Sequence, residues 1–234
     1  MKSSIQSKTK LVNSVFNKVY KKYDLMNDIM SFGIHRIWKS RLIDWMNPQQ
    51  NESLIDVASG TGDIAKLFSK KNNNSTQITC VEPNDEMRSA GKSNLKSFKN
   101  IKWYKATAEK LPFKNDTYNF YTISYGIRNV SDINLSLKEA LRVLKPGGRF
   151  MCLEFSKIDN ELINLLYQKY SKVIPVVGKY IVGSSKPYNY LIKSINEFYT
   201  QNELANLIKK NGFSNVEYRN LSNGISAIHS GWKI

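Results

Sequence analysis

Short apolar runs alternate with amphipathic stretches between residues 53 and 155, a glycine-rich turn follows the first run directly, and an Asn-Gly pair splits two further runs near the chain end. Together these predict an α/β fold: a seven-stranded, mostly parallel sheet with helices on both faces and an antiparallel hairpin at its end. Residues 1–50 are expected to form an N-terminal helical cap and residues 51–234 the sheet-bearing domain, with an insertion at 157–196.

Polar residues 1–10 give way to Leu11, Val15, Phe16, Val19 and Tyr23, which recur at helical spacing. A second helix is predicted from Ile34 to Met46, ahead of Pro48. Ser53 to Ala58 then reads as a buried strand, Asp63 to Ser69 as a helix and Gln77 to Val81 as the second strand. Further strands are expected at Ile101–Ala106, Tyr118–Ser124 and Arg149–Phe155, with helices near Asp85–Lys96 and Ser131–Leu144 between them. Pro146-Gly147-Gly148 stops the latter helix and reads as a plain turn into the fifth strand. Residues 157–196 carry Tyr167, Tyr170, Tyr180, Tyr188 and Tyr190 around Ile174-Pro175-Val176-Val177, and fit neither a strand nor a clean helix. Thr200-x-x-Glu203 has the form of a capping box and opens a helix to Lys210 that Gly212 ends. Asn223-Gly224 joins Asn215–Arg219 to Ile225–Trp232 as a hairpin, unlike a dinucleotide-binding domain of six parallel strands.

Composition narrows the class. With 41% hydrophobic and 12% aromatic residues the chain can bury a sizeable core, which excludes global disorder. Its longest apolar stretches, such as Val173 to Val177, fall far short of the roughly 18 residues needed to span a bilayer. No secretory signal pattern opens the chain, so a soluble cytoplasmic protein is expected. Cys80 and Cys152 make neither a disulfide scaffold nor a metal cluster, and no metal site is predicted. The net charge of +16 points first to nucleic acid and second to an anionic membrane surface. It is carried mostly by Lys and spread along the whole chain; Arg-poor surfaces suit base readout badly. Much of it reads more readily as a solvated surface without a specific partner.

The chemistry begins at Asp56-Val57-Ala58-Ser59-Gly60-Thr61-Gly62-Asp63, after a strand and at the start of a helix, where glycines let a ligand lie against the backbone. Gly60 to Ala65 also satisfies the Gly-x-Gly-x-x-Ala pattern of nicotinamide sites. Three features favour S-adenosyl-L-methionine instead. Asp56 can meet a cationic amino-acid group but would repel a pyrophosphate. Asp63 sets negative charge at the helix start, where a diphosphate would otherwise sit. Glu82 ends the next strand 20 residues after Gly62, placed to accept hydrogen bonds from ribose hydroxyls. Thr107-Ala108, with Leu111-Pro112-Phe113 behind it, is a candidate for an adenine edge and face, and Ser124 ends the fourth strand at the same crevice.

Longer segments carry a resemblance. Lys22 to Lys39 (Lys-Tyr-Asp-Leu-Met-Asn-Asp-Ile-Met-Ser-Phe-Gly-Ile-His-Arg-Ile-Trp-Lys), Gly126-Ile127-Arg128-Asn129-Val130, Arg142 to Arg149, Leu153 to Lys157, Tyr188 to Ile195 and Asn220 to Ile225 resemble the C-methyltransferases of ubiquinone and menaquinone biosynthesis, over nearly the whole chain. The resemblance implies the class I methyltransferase fold and methyl transfer from S-adenosyl-L-methionine to a ring carbon of a prenylated quinol. Family cofactor positions fall on Thr61, Glu82, Thr107, Ala108 and Ser124. This chain departs by having Ser59 in place of Gly, Glu82 in place of Asp and Thr107 in place of Asn.

A sulfonium methyl is already electrophilic, so the protein must align it, exclude water and make the ring carbon nucleophilic by helping a neighbouring hydroxyl lose its proton. Arg128 and Asn129, at the mouth of the crevice, are candidates to bind the phenolate or orient a water, with a loop-fixing salt bridge as the alternative for Arg128. Asp24 is the candidate base and Tyr23 a wall of the ring pocket. His35 reads as a base or, more simply, a structural histidine. The apolar 157–196 stretch is a path for the prenyl tail or ordinary packing on the sheet. Expected partners are the quinol and, peripherally, an anionic membrane at its inner face; no nucleic acid is expected, and a homodimer or a quinone-biosynthesis complex stays open. The alternative function is methylation of another lipid-like small molecule or of nucleic acid, although Tyr125-Gly126-Ile127-Arg128 occupies the place where many base-methylating enzymes carry an Asn/Asp-Pro-Pro-aromatic tetrapeptide.

Overall fold

The computed structural model describes residues 28, 31, 33–73, 76–158 and 186–234. In chain order these form α1 (His35–Met46), β1 (Leu54–Val57), α2 (Asp63–Lys71), β2 (Ile78–Val81), α3 (Asp85–Asn94), β3 (Ile101–Tyr104) and β4 (Tyr118–Ser124). A 3₁₀ turn (Ile127–Asn129) follows, then α4 (Ile133–Val143), β5 (Leu144–Phe155), α5 (Lys186–Asn196), α6 (Gln201–Lys210), β6 (Ser214–Leu221) and β7 (Ser226–Trp232).

All seven strands join one sheet in the order β3-β2-β1-β4-β5-β7-β6. The first five run parallel, while β7 pairs antiparallel with both β5 and β6. Strand direction makes alternate residues feed opposite layers. Leu54, Phe120, Met151 and Leu153 pack with Trp38 and Leu42 of α1, Phe68 of α2 and Tyr188 of α5. Ile55, Tyr121, Ile123, Phe150 and Cys152 pack with Leu137 of α4 and Ile208 of α6. Each fully buried side chain of this size adds roughly 1.5–3 kcal/mol. Both cysteines are free and buried inside strands.

Three expectations change. Residues 186–196 form a regular helix, with Tyr188, Leu191 and Ile195 buried along one face; the rest of the proposed insertion, 159–185, lies outside the described residues. Pro146-Gly147-Gly148 is not a turn ahead of a strand, because β5 begins at Leu144. Tyr118 pairs with Leu144 and Phe120 with Arg149, so the segment bulges within the strand. The bulge is held by the chain end: Gly147 N–H donates to Lys233 O at 2.8 Å and Lys233 N–H to Gly148 O at 3.0 Å. The third strand stops at Tyr104, two residues early. The capping box at Thr200–Glu203 forms as expected, both reciprocal bonds being present.

Helix α1 is tied to the sheet by unusual chemistry. The guanidinium of Arg149 (β5) lies 5.0 Å from the Trp45 ring and 4.8 Å from that of Trp232. It donates to Trp45 O and Ser230 Oγ. Trp38 Nε1 donates to Ser222 Oγ at 3.0 Å.

Candidate active site

The strand order reverses between β1 and β4, so a crevice opens beyond their carboxyl ends. The β1–α2 turn lines it. Ala58, Gly60 and Gly62 all take left-handed backbone, at φ 53°, 56° and 90°. Gly62 has a second reason to be glycine: a Cβ there would stand 2.5 Å from Leu95 Cδ1 and 3.1 Å from the Trp103 ring. The Ser59 hydroxyl donates to Asp56 O at 2.6 Å and accepts from Val81 N–H at 3.1 Å, binding the turn to β2. Its role in the structure is thus to shape the turn. Glu82 follows β2 and accepts from Gly60 N–H through Oε2 and from Asn84 N–H through Oε1, both at 2.9 Å. Burial raises its carboxyl pKa, against these two backbone bonds and nearby Arg88. Each carboxylate oxygen keeps acceptor capacity for a ligand.

The charge in the crevice is uneven. Asp56 is 1% exposed. Thr122 Oγ1 donates to its Oδ1 at 2.8 Å, and its Oδ2 has no partner. Burial, reinforced by Asp63 and Glu82 and opposed by the Thr122 bond and Lys39, pushes its pKa up to about 7. Burial thus works against the charged form that the sequence led one to expect. Asp63 opens α2 but caps nothing; Gly62 is the N-cap residue. Instead Asp63 Oδ2 accepts from Lys39 Nζ of α1 at 2.6 Å. Burial works against its ionisation, but the Lys39 ammonium outweighs it and holds the pKa below the usual carboxylate value. Asp56, Ser59, Gly60, Thr61, Ser124 and Lys39 share one pocket. Ser124 Oγ there also lacks a partner.

Thr107 and Ala108 follow β3 at the same end of the sheet, Thr107 exposed and Ala108 buried, in a small bridge that pairs Thr107 with Lys110. The apolar residues behind them serve the core. Leu111 is buried, and Phe113 meets Tyr104 and Tyr118 edge-on at 5.0 and 5.6 Å. Glu109 Oε1 accepts from Ser131 N–H at 2.6 Å, securing the approach to α4.

Past β4 lies the second half of the site. Arg128 is buried, donates through Nη1 to Tyr125 O at 3.0 Å, and forms an ion pair with Glu154 of β5. Glu154 is itself 1% exposed; burial raises its pKa, opposed chiefly by Arg128. Arg128 Nε and Glu154 Oε2 have no partner. Asn129 Oδ1 accepts from Tyr190 Oη of α5 at 2.9 Å. Outside Arg128 a groove of about 730 Å³ runs between α5 and the start of α4, with Val130, Ile133, Tyr190 and Phe198 on its walls. Among the described residues, four of the seven buried polar side-chain atoms without partners (on Asp56, Ser124, Arg128 and Glu154) sit at the carboxyl ends of β1, β4 and β5. Buried polar groups are normally satisfied, so this clustering marks where a ligand belongs.

His35 is buried, with Nε2 2.9 Å from Asp28 Oδ1; burial and nearby Lys39 lower its pKa, so the ring is neutral near pH 7. That fits the structural alternative. Tyr23 and Asp24 lie outside the described residues. Two participants went unforeseen. Glu154 sits 26 residues from Arg128, and Lys39 reaches the turn from another helix. Both stand within the quoted family segments, the one available signal. No group of three or more metal-ligating side chains occurs among the described residues.

The residues around the turn suit a ligand with vicinal hydroxyls and an amino-acid end: Glu82, whose oxygens keep acceptor capacity, for the hydroxyls, and the uncommitted Asp56 oxygen, in the pocket beside the turn, for an ammonium. Comparison with known proteins agrees in fold and sequence. The model of the ubiE/COQ5 methyltransferase family matches residues 3–233. The ubiquinone/menaquinone biosynthesis C-methyltransferase UbiE of Rickettsia bellii (strain OSU 85-389) is 49% identical, over 100% of this chain and 96% of its own. The protein of the same name from Brucella suis is 44% identical, over 96% and 86%. A S-adenosylmethionine-dependent methyltransferase of Thermotoga maritima, described as a possible histamine N-methyltransferase, superposes with TM-score 0.66 at 21% identity, over 94% of this chain and 99% of that one.

Proposed function

The chain belongs to the ubiE/COQ5 methyltransferase family, an S-adenosylmethionine-dependent C-methyltransferase of ubiquinone and menaquinone biosynthesis, and from that premise we propose that its acceptor is a ring carbon of a prenylated quinol seated against the Arg128–Asn129 turn. The observation that carries this is the buried Arg128–Glu154 pair beside a groove walled by apolar and polar side chains together.

S-adenosyl-L-methionine supplies a methyl group on a cationic sulfur. The residues proposed to hold it are Asp56 at the amino-acid end, the backbone of Ser59, Gly60, Thr61 and Gly62 along the middle, Glu82 at the ribose, Thr107 and Ala108 at the base, and Ser124 toward the reacting end. Ionisation of the quinol hydroxyl makes the neighbouring ring carbon nucleophilic, and a fixed cation stabilises the phenolate without reorganising. Arg128 provides that cation. Glu154 holds it by Nη1, which leaves Nε uncommitted. Asn129, fixed by Tyr190, orients the ring oxygen or a water. Tyr23 and Asp24 complete the proposal as pocket wall and proton acceptor.

Val130, Ile133, Tyr190 and Phe198 along the groove beyond Arg128 offer the prenyl tail apolar contacts, interspersed with polar ones such as Asp132 and Lys193. No helix among the described residues is long and apolar enough to cross a membrane. A Lys-rich surface therefore supports peripheral contact with anionic lipid, where the tail already resides.

Quinone profiles of cells lacking the protein test the reaction. Accumulation of a demethylated ubiquinone precursor or of demethylmenaquinone is expected, and either one names the ring. An unchanged quinone pool overturns the proposal.

A further inference from the structure

Lys39 is part of the crevice but not of the glycine-turn motif. Its side chain is 8% exposed, and Nζ makes one hydrogen bond, to Asp63 Oδ2 at 2.6 Å. An ammonium carries three donors, so two are uncommitted. Asp63 uses only one of those donors, and 41% of its side chain stays exposed, so water partly screens the pair that Lys39 makes with it. Across the same pocket stands Asp56, with its own uncommitted oxygen. The pocket thus presents one unused carboxylate oxygen and two unused ammonium donors, flanking the backbone of Gly60 and Thr61. A group bearing an ammonium and a carboxylate on one carbon complements that pair.

We infer that Lys39 binds the α-carboxylate at the amino-acid end of the cofactor while Asp56 takes the α-ammonium. The inference rests on reading this crevice as the S-adenosylmethionine site and adds a residue from outside the turn. It also gives the cofactor a contact with α1, so the helical cap and the glycine turn are bridged when the pocket fills. A pocket without Lys39 would hold adenosine by Glu82 and the turn just as well, but would not distinguish ligands by their amino-acid end.

Calorimetric titration of the full chain with S-adenosylhomocysteine and with 5′-methylthioadenosine tests this. The two share adenosine and a thioether, but the second lacks the amino-acid end. Lys39→Met is expected to weaken S-adenosylhomocysteine about tenfold or more, as for one hydrogen bond to a charged group, and 5′-methylthioadenosine by less than about twofold. Lys39→Arg, which keeps the charge, recovers most of the lost affinity. Equal losses for both ligands would mean a damaged turn and overturn the inference, as would no loss for either. Should Lys39→Met not fold, the double variant with Asp63→Asn removes both charges and is judged by the same ratio. If the unaltered protein binds neither ligand, the cofactor reading itself fails, which is a separate result.

Discussion

Removing Arg128 should do two separable things. Arg128 and Glu154 have side-chain exposures of 5% and 1%, so each neutralises a charge that water does not reach. Arg128→Met leaves the Glu154 carboxylate buried and uncompensated, and breaking such a pair costs about 3–5 kcal/mol. For a chain of this size each kcal/mol moves Tm by roughly 2–4 °C, so a drop of the order of 10 °C is expected. The loss should depend on pH in a definite direction. Burial already holds the Glu154 pKa above its usual 4.5, and Arg128 is the main force pulling it down. Without Arg128 the folded-state pKa rises further. Between the unfolded and folded values the native state binds the proton more tightly, so stability falls as pH rises through that window and recovers on acidification. Urea titrations near about pH 5 and about pH 8 read this as a larger deficit at the higher pH. Adding Glu154→Gln removes the stranded charge and should return stability to within about 1 kcal/mol of the parent. Methyl transfer, in contrast, should stay at least about tenfold down in both variants, with S-adenosylhomocysteine affinity unchanged. If the double variant regains turnover along with stability, Arg128 only fixes its loop and the phenolate argument is wrong.

Two further outcomes are expected. Because burial pushes the Asp56 pKa up to about 7, an arriving ammonium should lower it and release part of a proton near neutrality. Calorimetric enthalpies of S-adenosylhomocysteine binding should then scale with buffer ionisation heat, and Asp56→Asn should abolish the dependence; a buffer-independent enthalpy in the parent refutes it. The Lys-rich surface should carry the protein down with anionic but not neutral vesicles, and high salt should release it; equal sedimentation with both removes the membrane address.

The parallel half of the sheet was legible in the sequence because each strand is a short apolar run closed by turn residues, and β1, β2 and β4 came within two residues of their ends. The crevice was legible because the Asp56–Asp63 turn carries its glycines contiguously. What was hidden depends on contacts across the chain. Residues 186–196 lie in an aromatic stretch whose overall composition masks the Tyr188, Leu191, Ile195 spacing of a helix face. The bulge at Pro146–Gly148 has ordinary helix-stop chemistry, and its pairing with Lys233 and the flanking pairs with β4 hold it in the strand. Ala58 and Tyr125, left-handed at φ 53° and 55°, carry no sign of it in their side chains. Ion pairs such as Arg128–Glu154 and Lys39–Asp63 join residues that local pattern cannot associate.

The sheet order sets a condition on synthesis. The last strand of the chain, β7, lies between β5 and β6, not at an edge. A nascent chain halted before Ser226 therefore exposes one whole side of β5, apolar from Phe150 to Leu153, and leaves β6 with no strand to pair with. Such an open edge templates association with other chains. The crevice inherits the same dependence, because Glu154 and the segment that holds Arg128 stand on or beside β5. Ser226 to Trp232 must therefore be made and paired with β5 before either the sheet or the surroundings of the buried Arg128–Glu154 pair can close.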